Sequence, residues 1–160
     1  MLLDVPAYRG VEMLPGGSAV TGAELAAVAK HQGVEIKSGD VVLVRTGWLR
    51  HWDDPAAYRG DLTGEPGPDA SAAEWLAERK IRATGSDTIA YEAMEAGQVP
   101  LPVHVHLLVE SGVHILEVLD LEELASDGVH EFGFVCSPLK MVGATASPVR
   151  PLALVERAPA

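Results

Sequence analysis

Cysteine is almost absent from this 160-residue chain: Cys136 is the single thiol, which excludes an internal disulfide and suits a reducing compartment. Long apolar runs are missing as well. No stretch approaches the ~18 residues that a membrane helix needs, and the start, Met1-Leu2-Leu3-Asp4-Val5, carries neither the basic region nor the cleavage site of a signal peptide. A cytoplasmic location is the resulting expectation. Positive charge is scarce, with 12 Lys and Arg against 23 Asp and Glu and a net charge of −11. Nucleic acid and anionic membrane surfaces both require clustered cations, so neither is expected as a partner. Three common templates are also missing: a Gly-x-x-x-x-Gly-Lys phosphate loop, a Gly-x-Ser-x-Gly elbow and a Cys-x-x-Cys pair.

The chain has the composition of a soluble globular protein, 48% apolar and 22% charged, at a length that suits one domain. The pattern predicts a single domain over residues 1–155 and a C-terminal tail at 156–160. Strand-like runs occur at Leu2 to Val5, Val41 to Val44, Ile81 to Ser86, Val113 to Val118, Val129 to Val135 and Pro151 to Val155. Between them lie two capping-box patterns, Thr21-Gly22-Ala23-Glu24 and Ser71-Ala72-Ala73-Glu74, each predicting a helix start. A third helical stretch holds Leu107 to Val109 and ends at Gly112, and a short one runs over Asp120 to Leu124. The Pro- and Gly-rich residues 53–70 read as a long surface loop or lid. Alternating strands and helices give an α/β fold with a mixed sheet. Cys136 falls in an alternating run and is expected to be a buried strand residue.

Histidine and carboxylate carry the chemistry that remains. Imidazole titrates near neutrality and ligates metals. His31 and His51 read as solvated, and His114 and His130 as outward-facing strand residues. Pro102-Val103-His104-Val105-His106 is the densest cluster. His104 and His106 would share a face on a strand and diverge on a helix, so one of them is expected at any given pocket. Glu117, inside an apolar run, is positioned for a strand to carry its carboxylate inward, where a metal is one way to satisfy it. Asp87 and Glu92 follow a predicted strand, the place where α/β sheets hold ligands, and are candidates for substrate contact or for supporting a metal ligand.

Four segments, in order, resemble the cyclase family of metal-dependent hydrolases, which includes kynurenine-formamidase-like and isatin-hydrolase-like enzymes. They are Leu2-Leu3-Asp4-Val5 with Arg9-Gly10-Val11; Gly39 to Trp48; Pro102-Val103-His104 with Leu107-Leu108, Gly112-Val113 and Glu117; and Gly128 to Phe132 running on through Pro138-Leu139 to Gly143–Pro151. The resemblance implies a swivelling β/β/α domain of the cyclase type. It also implies a divalent metal, zinc or manganese, that activates water against an amide or lactone carbonyl of a small-molecule substrate. By that resemblance the late metal ligands are His104 and Glu117, with His106 a substitute because the His-to-Glu spacing varies by a residue among subfamilies. The family's early His-x-Gly-Thr-His-x-Asp motif does not occur in these 160 residues, and Ala146 stands where a Gly is usual. The resemblance therefore predicts an N-terminally truncated domain with no assigned catalytic base. Uncovered strand edges would then favour a homo-oligomer or pairing with a complementary N-terminal subunit. Two functional readings stand at this point: a hydrolase, or an impaired fragment or split-enzyme subunit acting as a binding or oligomerisation module.

Overall fold

A computed structural model describes residues 1–97 and 101–156. They form two compact units that divide between His130 and Glu131. The first unit alternates strand and helix: β1 (Leu2–Asp4), α1 (Val5–Arg9), β2 (Ala19–Val20), α2 (Gly22–Gln32), β3 (Val41–Arg45), a 3-10 turn (Trp48–His51), α3 (Pro55–Tyr58), β4 (Gly67–Pro68), α4 (Ala70–Glu78), β5 (Ala83–Ser86), α5 (Pro102–His104) continuing as a π-helix (Val105–Glu110), β6 (His114–Leu116) and α6 (Glu122–Ser126). Four strands make one parallel sheet in the order β1-β3-β5-β6, while β2 and β4 form a separate parallel pair. The second unit holds an antiparallel hairpin of β7 (Gly133–Val135) and β8 (Leu152–Leu154). Parallel and antiparallel pairings are thus both present, in different sheets. No helix among the described residues is long and apolar enough to cross a membrane.

Why the sheet is buried follows from β3. Val42 and Val44 face the core cluster with Leu3, Leu25, Val28 and Leu76, while Leu43, on the opposite face, is also buried. A strand covered on both sides reads as the continuous apolar run seen in the sequence. Each fully buried Leu or Val in this cluster contributes roughly 1.5–3 kcal/mol relative to exposure.

Several expectations need correction. Thr21 caps α2 by accepting from Glu24 N at 3.1 Å, but the Glu24 carboxylate turns away to Arg9 at 2.7 Å instead of closing the box. The cap of α4 is Asp69, which accepts from Ala72 N. Ser71 lies inside that helix, donates to Asp69 and receives Gly22 N, so an Asp two residues upstream outcompeted the expected Ser. Residues 53–70 are no free lid. They contain α3 and β4, and Gly64 to Pro68 are buried, tied by an antiparallel bridge from Glu65 to Met94. Cys136 lies just beyond β7 and is only half-buried. Glu117 lies one residue past β6, at the carboxyl end of the sheet and not within a strand. His31 is exposed, as expected, with its ring edge-on to Tyr8, whereas His51 is half-buried with its ring edge-on to Trp48. His130 binds Gln32 across the first unit. Ala146 does not have positive φ, so replacing a Gly there brings no left-handed strain. The expected tail at 156–160 lies, from 157 on, outside the described residues.

Candidate functional site

His104 is the last residue of α5, whose first turn is set by Pro102. The buried Glu92 holds this turn from beneath: one carboxylate oxygen accepts from Val103 N at 3.1 Å. The other accepts from His104 N at 3.1 Å and meets His104 Nδ1 at 2.8 Å. The Tyr91 ring lies edge-on to the imidazole, 6.5 Å between centroids. With Nδ1–H held by a carboxylate, the neutral ring presents its Nε2 lone pair outward, the arrangement that supports metal-ligating histidines. Glu117 Oε1 stands 3.2 Å from that Nε2. The helix, not a strand, decides between the two histidines. His106 points elsewhere and pairs with Glu110, Nδ1 to Oε2 2.8 Å.

Both carboxylates flanking His104 sit next to strained backbone. Tyr91, just before Glu92, has φ 59°, and Val118, just after Glu117, has φ 58°. A β-branched residue in the left-handed region is an outlier that persists only when its surroundings dictate it. Here Val118 N donates to Thr88 O at 2.9 Å and Leu119 N to Ser86 O at 3.0 Å, so the corner that aims Glu117 is pinned to the end of β5.

Asp87 and Glu65 support the same end of the sheet. Asp87, fully buried, accepts from Thr46 N, Thr46 Oγ1 and Gly47 N at 2.7–2.8 Å. Burial pushes its carboxyl up, and the Thr46 and Gly47 donors pull it back. Its backbone oxygen takes the Tyr58 hydroxyl at 2.9 Å. Asp87 therefore shapes the loop after β3, and none of its contacts reach His104. Glu65 was missed in the sequence because a glutamate among Gly and Pro residues carries no pattern. It is buried, accepts from Ile89 N and Ala90 N at 2.8 and 3.1 Å, and feels the charge of Glu117.

The hydrogen bond to Glu117 raises the His104 pKa above its ordinary value; burial opposes this and Glu92 adds to it. A raised histidine contributes stability that is fully present below the unfolded value of about 6.5 and is lost as pH rises through the folded one. Without metal, the stability gap between wild type and Glu117→Gln is therefore expected to be widest in mild acid and to shrink towards alkaline pH. Urea unfolding across that range measures it, and a gap that widens with pH would contradict the assignment.

The donor set fits a divalent cation in part. An imidazole nitrogen and a carboxylate oxygen converge on one spot, a mixture suited to zinc or manganese. Among the described residues, however, no group of three or more His, Cys, Asp or Glu gathers to hold an ion.

Comparisons of the sequence and of the fold with known proteins agree on one family. The family model described as "Putative cyclase" matches residues 1–93. The isatin hydrolase of Roseibium aggregatum is 36% identical over 129 residues, covering 78% of this chain and 48% of that protein. A crystal structure described as a novel cyclase superposes with TM-score 0.86 at 33% identity, over 96% of this chain and 52% of the other. A structure described as a potential metal-dependent hydrolase with cyclase activity gives 0.62 at 26% identity, over 95% and 62%. The chain thus spans about half the length of the curated relative it matches. In sequence and in fold, it belongs to the cyclase family.

Proposed function

We propose that this chain supplies the late His–Glu part of the metal site of a cyclase-family hydrolase acting on a C–N amide, such as an arylformamide or cyclic amide, or on a lactone. The observation that carries the reading is the Glu92–His104–Glu117 relay, in which one carboxylate fixes the ring and the other faces its free nitrogen. His104 Nε2 and Glu117 would hold the ion, and Glu92 would keep His104 in the ligating tautomer. A bound zinc or manganese ion would supply an activated water and a polarised carbonyl. Likeness to an isatin hydrolase supports a cyclic amide among the candidate substrates. Asp87 keeps the neighbouring loop closed and the left-handed corner at Val118 keeps Glu117 in line.

The convergence of two donors, where catalytic zinc takes three from protein, favours a second reading. On it the chain is a split-enzyme subunit, or a module whose binding role outlasts its catalysis. The test is to assay the purified chain with zinc or manganese on isatin, an arylformamide and a simple lactone. Metal-dependent turnover abolished by His104→Ala supports the hydrolase. Turnover that appears only when a polypeptide bearing a His/Asp motif is added supports the split enzyme. Metal binding with no turnover in either case leaves the module reading.

A further inference from the structure

Glu65 reaches the carboxyl end of the sheet from a rigid stretch of backbone. Glu65 and Met94 exchange hydrogen bonds of 2.9 Å in both directions. Glycines on either side let backbone lie directly on backbone: a Cβ at Gly64 would run into Met94 O, and one at Gly67 into Tyr91 O.

From that stretch a single oxygen, Glu65 Oε2, accepts from Ile89 N at 2.8 Å and from Ala90 N at 3.1 Å. Each of these groups leads to one of the carboxylates flanking His104. The N–H of Ile89 and the C=O of Thr88 are opposite ends of one planar peptide. That C=O accepts from Val118 N, next to Glu117, at 2.9 Å. Hydrogen bonds linked end to end polarise and strengthen one another. On the other side, Ala90 O accepts from Glu92 N, closing a three-residue γ-turn on Tyr91 at φ 59°. A γ-turn with positive φ is the rare, strained form and needs both ends held. Glu65 Oε2 holds the first end, and the bridge to Met94 holds the second.

We infer that Glu65 is a positioning residue for the candidate metal site, setting Glu117 through the Thr88–Ile89 peptide and Glu92, with His104 above it, through the turn on Tyr91. The inference rests on the reading of His104 and Glu117 as ligands. What Glu65 supplies is an acceptor at one point, and an amide oxygen can stand there equally well. Glu92 differs, because both of its oxygens are engaged.

Two conservative variants set acceptor against charge. Glu65→Gln keeps the reach and loses the charge, whereas Glu65→Asp keeps the charge and is one methylene too short to bridge both N–H groups. Titration calorimetry on the whole chain reads zinc affinity. Amide exchange by NMR, without metal, reads Val118 and Glu92, with the β3 amides as the check on the fold. Glu65→Gln is expected to bind zinc within about threefold of wild type, since the acceptor remains. Glu65→Asp is expected to bind about tenfold or more weakly. Its Val118 and Glu92 amides are expected to exchange about tenfold or more faster while β3 is unchanged. The reverse order would show that the charge beside Glu117 is what matters, and would overturn the inference. So would wild-type behaviour in both variants, or a Glu65→Asp that loosens β3 as much as Val118. A wild type that binds no zinc strikes the hydrolase reading alone, and the exchange pattern still decides the role of Glu65.

Discussion

Affinity for zinc or manganese is expected to fall by about 10- to 100-fold in Glu92→Gln, although this carboxylate never reaches the ion. Glu92 fixes the turn that carries His104 twice, through the backbone of Val103 and His104 and through His104 Nδ1 at 2.8 Å. The amide keeps the volume but cannot accept from all three donors, and its NH2 group competes for the same positions. The ring then loses its preferred tautomer, and the turn loses its anchor. His104→Ala and Glu117→Ala, which remove donor atoms, are expected to abolish measurable binding. Titration calorimetry on the three variants gives the order. Glu92→Gln binding metal as tightly as wild type would show that the buried carboxylate only closes the α5 turn. An unchanged His104→Ala would remove the site altogether. His106→Ala, whose ring faces Glu110, is expected to bind as wild type does.

The largest loss of stability is expected from Asp87→Ala, about 3–5 kcal/mol. Asp87 is 0% exposed and receives three donors from Thr46 and Gly47. Truncation strands the two backbone N–H groups in a dry interior, each costing about 1–3 kcal/mol, and opens a cavity besides. The loop cannot shift to rescue them. Gly47 has φ 79°, and a Cβ there would meet Glu12 O at 2.6 Å, so backbone packs directly on backbone. Asp87→Asn is expected to cost less, since its carbonyl oxygen still accepts from Thr46 while the amide opposes Gly47 N. Urea midpoints read both. A loss below about 1 kcal/mol for Asp87→Ala would mean that water enters to satisfy the freed donors.

The sequence was legible where one local rule acted alone. β3 declared itself as Val41-Val42-Leu43-Val44 because burial on both faces leaves no alternation to obscure it. His104 and Glu117 were legible through family resemblance, since thirteen residues and a helix separate them in the chain. Their meeting at 3.2 Å depends on the sheet register that sets β6 beside β5. Asp69 was hidden because Ser71 offered a second plausible cap, and only the tertiary bond from Gly22 N shows why Ser71 is used otherwise. Glu65 was invisible. Its partners are two backbone N–H groups more than twenty residues away, and backbone donors leave no mark on sequence.

The π-helix after His104 has a meaning for how such chains change length. From Val105 to Glu110 the backbone hydrogen bonds span one residue more than in an α-helix, with Ser111 N bonding back to His106 O. That surplus is slack stored between the two candidate ligands. A chain one residue shorter here could rewind this turn as ordinary α-helix and still bring its histidine to its glutamate. The resemblance carries a His-to-Glu spacing that varies by a residue among subfamilies, which is the footprint such slack would leave. Insertion and deletion, usually confined to surface loops, can thus be absorbed next to a functional pair without parting it.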